Sequence, residues 1–277
     1  MIPIGDNNPT HGKAYVTYTL IAVNTLIFLF CSMQPDRGEE MIWKYGFEPA
    51  GLTNEPEVVR AELTKMAEPR AVMVRDRFGR VRPVFEQPRD YGRAATALPA
   101  ELKLFTCMFM HGGWMHLIGN MLYLYIFGNN IEDRLGHGLF VIFYLVTGVL
   151  GTLAHTFFDS NALTPLVGAS GAISGVLGAY ILIHPHARID AIVPIGWYIT
   201  TVALPAWVFL GIYAIMQVVS AVPAMNRVQG GGVAYFAHIG GFVAGLALIK
   251  VLPAKKHARP LATPAPVEDD EYSLFGP

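Results

Sequence analysis

Apolar residues gather along the chain into six long runs, near residues 14–33, 104–131, 139–158, 169–186, 199–222 and 233–252, separated by stretches where charges and prolines concentrate. A helix crosses the roughly 30 Å hydrocarbon layer of a bilayer with about 20 predominantly apolar residues, so each run reads as a membrane span. The second run is longer than one straight span needs, which predicts a re-entering loop followed by a helix. Before the first run there is no basic segment of the secretory kind. After it, Cys31-Ser32-Met33-Gln34-Pro35 leads directly into charged sequence without a small-residue cleavage site. That run is therefore expected to be retained. The fold class expected is an all-α membrane protein, a six-transmembrane-helix bundle over 14–252, with a cytoplasmic tail at 1–13 and a disordered cytoplasmic tail at 253–277.

Composition agrees with the pattern: of 277 residues, 53% are hydrophobic and 15% charged, the balance of a membrane protein. Residues 34–103 hold twelve Lys and Arg and twelve Asp and Glu, with Trp43, Tyr45, Phe47, Phe78, Phe85 and Tyr91 among them. Balanced charge and aromatic content predict a small, partly ordered insertion between the first two spans. Loops of this length do not orient a membrane protein. Among the short segments, Lys13, Arg134, Arg188, Lys250, Lys255, Lys256 and Arg259 fall on one side and Arg227 alone on the other. Both termini are thus expected in the cytoplasm, with the insertion and the start of the fourth span on the outer face.

Several function classes drop out. Basic residues interleaved with acids do not form a nucleic-acid face. The cysteines Cys31 and Cys107 make neither a disulfide framework nor a metal pattern. Asp133, Asp159 and Asp190 lie near span ends, so a paired-aspartate protease has no candidates.

The fourth run opens on Val167-Gly168-Ala169-Ser170-Gly171-Ala172-Ile173-Ser174-Gly175, and His238 lies near the start of the sixth. Serine at a helix start is ordinarily a cap. Here Gly171, Gly175 and Ala179 recur every four residues, as do Gly241 and Gly245 on the sixth run. Small residues at this spacing let helix backbones approach closely in lipid. His238 shares the Gly241/Gly245 face, at the same shallow depth as Ser170. An ionisable residue within a span is a functional-site hypothesis, the plain alternative being a structural histidine bonded to a neighbouring helix. Glycines beside the serine, Gly168 and Gly171, permit a sharp turn, and free N–H groups at a helix start can stabilise an oxyanion. His116 closes the stretch His111-Gly112-Gly113-Trp114-Met115-His116, and Asn120 stands four residues beyond it, on the same helix face. Both can donate to a developing negative charge. Interhelical bonding or a metal site would use the same residue types, though no carboxylate or thiolate stands at ligand spacing and HExxH is absent.

From about Phe105 to Leu252 the chain resembles the rhomboid intramembrane serine proteases, through HGGWMHLIGN, the IEDRLG turn, GASGAISG and AHIGGFVAG in the family's order. The resemblance implies a serine endopeptidase with Ser170 as nucleophile and His238 as general base, a dyad without an aspartate. It implies an oxyanion hole of the Ser170 N–H, His116 and Asn120, with His111 supporting the site and Glu132 making structural hydrogen bonds. It also implies transmembrane protein substrates and a lipid bilayer as partners, without cofactor, metal or nucleic acid. Two departures stand out. The family's Trp-Arg before the first histidine is here Glu101-Leu102-Lys103-Leu104, so its usual loop anchor is not expected. The tyrosine that some members carry four residues after the nucleophile is Ser174. Gly230-Gly231-Gly232, just before His238, reads as a hinge for access. A silent client-binding relative, or a transporter using His238 as a proton relay, is the alternative class; silent members typically lack the serine or histidine, and a transporter would show a paired half-helix repeat. The absence of a seventh span or an Arg-rich transit segment suggests a bacterial plasma membrane.

Overall fold

The structure, a computed structural model, describes residues 1–34, 38–66, 71–75, 81–85, 91–195, 198–225 and 233–255. The Gly230-Gly231-Gly232 hinge and residues 256–277 of the expected tail lie outside the described residues. Strand β1 (Ile2–Asp6) precedes helix α1 (Tyr15–Ser32). The insertion holds α2 (Gly38–Tyr45), α3 (Ala50–Thr53), α4 (Pro56–Met66), the antiparallel strands β2 (Ala71–Arg75) and β3 (Val81–Phe85), and α5 (Tyr91–Ala95). Then come α6 (Ala100–Thr106), a single 3₁₀ turn Cys107–Phe109, α7 (Trp114–Leu135), α8 (His137–Phe158) and α9 (Ser170–Ile183). Strands β4 (Arg188–Ile195) and β5 (Tyr198–Pro205) lead into α10 (Ala206–Met225) and α11 (Tyr235–Val251).

Among the described residues the chain is mostly helical, and three helices are long and apolar enough to cross a membrane by length and composition: Tyr15–Ser32, His137–Phe158 and Ala206–Pro223. Ser170–Ile183 and Tyr235–Val251 are apolar but shorter. In α7, polar residues such as Asn120, Asn129 and Asn130 dilute the apolar content. The second run holds a short helix, α6, with its 3₁₀ turn, and then one long helix, α7.

Two expectations need correction. The molecule is not all-α: β4 pairs antiparallel with both β1 and β5. The fifth run accordingly does not begin as a helix at 199. Its first residues form β5, with β-branched Ile199, Thr200, Thr201 and Val202, and the helix starts only after Pro205. A short apolar run bears no mark of whether it is strand or helix; here pairing with β4 decided.

Glu132, at the end of α7, holds this part of the bundle together. Its carboxylate accepts from the Val16 N–H at 2.9 Å, the Thr17 N–H at 2.8 Å and the Thr17 hydroxyl at 2.7 Å, and meets His137 Nδ1 at 2.5 Å. The first-turn N–H groups of a helix have no partners of their own, and the positive end of the helix dipole favours a carboxylate there. One buried side chain thus ties α1, α7 and α8. Nearby, Asp6 of β1 accepts from Tyr180 of α9 and Asn130 of α7.

The helices that matter for the site pack through glycine. A Cβ on Gly241 would strike the Gly171 carbonyl and one on Gly245 the Gly175 carbonyl, while Gly178 faces the backbone of Phe242. The expected α9–α11 contact therefore exists, and Gly178 joins Gly171 and Gly175 in it. Backbone-to-backbone approach of this kind is what small residues permit in lipid.

Candidate active site

Ser170 is the first residue of α9, whose entry turns sharply at Gly168, where φ is +120°. A side chain is strained at that φ, and the space is also taken: a Cβ on Gly168 would stand 2.6 Å from His116 Nε2 and 3.5 Å from Asn120 Nδ2. His116 and Asn120 reach this point from α7 as a pair one turn apart. They therefore face the backbone that leads into Ser170. Two tethers hold that backbone: the Gly168 N–H donates to the Cys107 carbonyl at 2.9 Å, and Leu166 exchanges hydrogen bonds with Phe47 of the insertion.

His238, in the first turn of α11, brings Nε2 to 2.8 Å from Ser170 Oγ. The residues are 68 apart in sequence, and the glycine contact below them sets their separation. The other ring nitrogen, Nδ1, lies 2.8 Å from Gln217 Oε1 of α10. Ser174, one turn below Ser170, donates its hydroxyl to the Ser170 carbonyl at 2.8 Å and meets the Tyr213 hydroxyl at 2.7 Å.

Among the described residues, Asn120 Nδ2 is buried with no hydrogen-bond partner, as are both ring nitrogens of His111. His111 stands edge-on to His116, with ring centroids 5.2 Å apart. A buried donor without a partner is uncommon in folded proteins and calls for an explanation. Asn120 holds its amide next to the Gly168–Ser170 turn, where an added negative charge would meet it. The first-turn N–H groups of α9, which begins there at Ser170, have no partners within the helix. Among the described residues, no cluster of three His, Cys, Asp or Glu is arranged to hold a metal ion.

All the site residues singled out from sequence, Ser170, His238, His116, Asn120, His111, Gly168, Gly171 and Gly241, meet around one end of α9. Sequence reasoning missed Tyr213 and Gln217. Their signal was available, as two polar groups at i and i+4 in an otherwise apolar helix, but it names no partner.

Residues 100–255 match the Rhomboid domain family. RHOMBOID-like protein 1 of Arabidopsis thaliana is 32% identical over 149 residues, 53% of this chain and 33% of that protein. Rhomboid protein 1, mitochondrial, of Saccharomyces cerevisiae is 29% identical over 154 residues, 53% of this chain and 40% of that protein. Rhomboid-like protein 11, chloroplastic, of Arabidopsis thaliana is 31% identical over 163 residues, 56% of this chain and 53% of that protein. The chain thus spans between 33% and 53% of the length of these relatives.

Proposed function

The chain belongs to the rhomboid family, and from that premise we propose that it is an intramembrane serine endopeptidase that cleaves transmembrane segments of other proteins. The observation that carries the reading is the 2.8 Å contact between His238 Nε2 and Ser170 Oγ. His238 takes the hydroxyl proton as Oγ attacks a substrate carbonyl, forming a tetrahedral intermediate. Its oxyanion accepts from the Ser170 N–H, Asn120 and His116. Collapse breaks the C–N bond, and His238 returns the proton to the departing amine. Water, activated by the same base, then hydrolyses the acyl-enzyme. Each oxyanion donor contributes on the order of 3 kcal/mol to the barrier reduction in comparable sites.

The setting we propose is a bundle of six spans, α1 and α7 to α11, in a bacterial plasma membrane, with both termini cytoplasmic and residues 34–103 external. The 14 residues of α9 extend about 21 Å at 1.5 Å per residue, less than the roughly 30 Å core of a bilayer. A helix that short, beginning at Ser170, supports a dyad that sits below the outer surface but within reach of water. A substrate helix must unwind locally there, since a helix keeps its backbone groups satisfied in lipid.

The test is incubation of the purified protein in detergent with a single-span substrate, with products identified by mass spectrometry. Wild type is expected to cleave, whereas Ser170→Ala and His238→Ala each abolish cleavage without loss of fold. Because the two act as a unit, the double variant is no worse than either single one. Substantial cleavage by well-folded Ser170→Ala removes the nucleophile assignment.

A further inference from the structure

Among the described residues no carboxylate stands behind the dyad, and Ser174 occupies the position where a tyrosine would otherwise pack near the histidine. Orientation of His238 comes instead from α10. Gln217 Oε1 lies 2.8 Å from His238 Nδ1, on the side of the ring opposite Ser170. A neutral imidazole carries one ring proton, and the partner of one nitrogen decides which form prevails. To accept the Ser170 proton, Nε2 must be bare, so Nδ1 must carry the N–H. An amide oxygen only accepts, and therefore selects that tautomer.

One turn earlier on the same helix, Tyr213 reaches Ser174. The single Ser174 proton goes to the Ser170 carbonyl, so Tyr213 is the donor in that pair. The two contacts close a circuit: Ser170 to His238, His238 to Gln217, along one turn of α10 to Tyr213, then to Ser174 and back to Ser170. One face of α10 thus sets both the base and the turn that carries the nucleophile.

We propose that Gln217 is the positioning residue of the general base, its side-chain oxygen holding His238 in the Nδ1–H tautomer with the ring aimed at Ser170. This inference rests on the protease reading. Gln217 takes the orienting part that an aspartate has in soluble Ser-His-Asp triads, but brings no negative charge. It touches neither substrate nor the reacting atoms and acts through His238 alone.

The test compares wild type with Gln217→Leu and Gln217→Glu, using ¹⁵N-histidine NMR in detergent, with His238 signals assigned by their absence from His238→Ala, alongside steady-state proteolysis across pH. Wild-type His238 is expected to carry its proton on Nδ1. Gln217→Leu loses that preference, and kcat falls about 10-fold to 100-fold with KM within about twofold, since proton transfer supplies roughly 10²-fold to 10⁴-fold in such sites and only its alignment is lost. Gln217→Glu keeps the Nδ1–H and restores kcat at alkaline pH. Its acid limb moves to higher pH, because a carboxylate beside the ring favours the imidazolium. His116 and His155 are the other titratable side chains that act electrostatically on His238, and both are unchanged across the series. A merely structural Gln217 would lower thermal stability while leaving the tautomer and the acid limb of the folded fraction as in wild type, and that result overturns the proposal. So does wild-type kcat in Gln217→Leu. If wild type cleaves nothing yet the tautomer changes with residue 217, the protease reading falls and the positioning role stands.

Discussion

Asn120 carries the sharpest single-residue prediction. Leaving a buried donor unsatisfied costs about 1–3 kcal/mol, and the Asn120 amide is buried without a partner beside the Gly168 turn. A group placed for a transition-state charge is expected to look like this in the resting protein. Asn120→Ala should therefore lower kcat about 10²-fold to 10³-fold with little change in KM. Melting temperature should hold, since no folded-state hydrogen bond of that amide is lost. Fluorophosphonate labelling should still reach Ser170. A large fall in melting temperature with a proportional loss of folded enzyme would instead make Asn120 an ordinary structural residue.

Between elements, the decisive contacts are polar pins at the margins of an apolar bundle. In the insertion, Lys103 of α6 is almost completely buried and donates to Glu48 at 2.6 Å, to the Trp43 carbonyl at 3.0 Å and to the Ala95 carbonyl at 2.6 Å. It thereby anchors α2, α5 and the Phe47 segment, and through the Phe47–Leu166 bridge it steadies the approach to Ser170. Lys103, within the stretch that departs from the family's Trp-Arg, thus ties the insertion together from inside. Burial pushes the Glu48 carboxyl up from its ordinary 4.5 to about 7, with the Lys103 charge opposing that rise. Removing one member of a buried pair typically costs about 3–5 kcal/mol by stranding the other, so Lys103→Met should be clearly destabilised at pH 8. The sign with pH comes from linkage: a carboxyl whose pKa is raised on folding favours the folded state below its unfolded pKa, and that advantage disappears as pH rises through the folded value. Melting temperatures at pH 5 and pH 8 check this, the Lys103→Met deficit shrinking toward pH 5. A deficit independent of pH would mean that the two carbonyl contacts, rather than Glu48, dominate.

For the whole molecule, Arg134 in the last turn of α7, Arg188 after α9 and Lys255 after α11 are each tied into the same end of the bundle. Arg188 and Asn7 exchange hydrogen bonds across β4 and the segment after β1, and the Lys255 N–H donates to the Arg134 carbonyl at 2.9 Å. They share an end with Glu132 and Asp6, away from Ser170. A one-ended basic cluster on a membrane bundle is expected on the cytoplasmic side. In a Cys31→Ser background, Glu57→Cys should react with a membrane-impermeant thiol reagent on intact cells, and Lys255→Cys only after permeabilisation. Labelling of Lys255→Cys in intact cells would invert the topology and turn the dyad to the cytoplasm.

What the chain alone determined is what repeats within a turn or two of helix. The apolar runs, the glycine spacing on α9 and α11, the Ser170 turn and the His116/Asn120 pair are all local patterns, so they were legible before any folding. Tertiary structure decided the partners. Residues 198–205 became a strand because β4 lay beside them, a choice that an apolar run of that length does not encode. Glu132 became the cap of α1 across 115 residues, and Lys103 found Glu48 across 55. Gln217 came to hold His238 only because α10 packs with that face toward α11. A polar side chain in an apolar helix announces that it needs a partner, but which partner it meets depends on how the helices settle against one another.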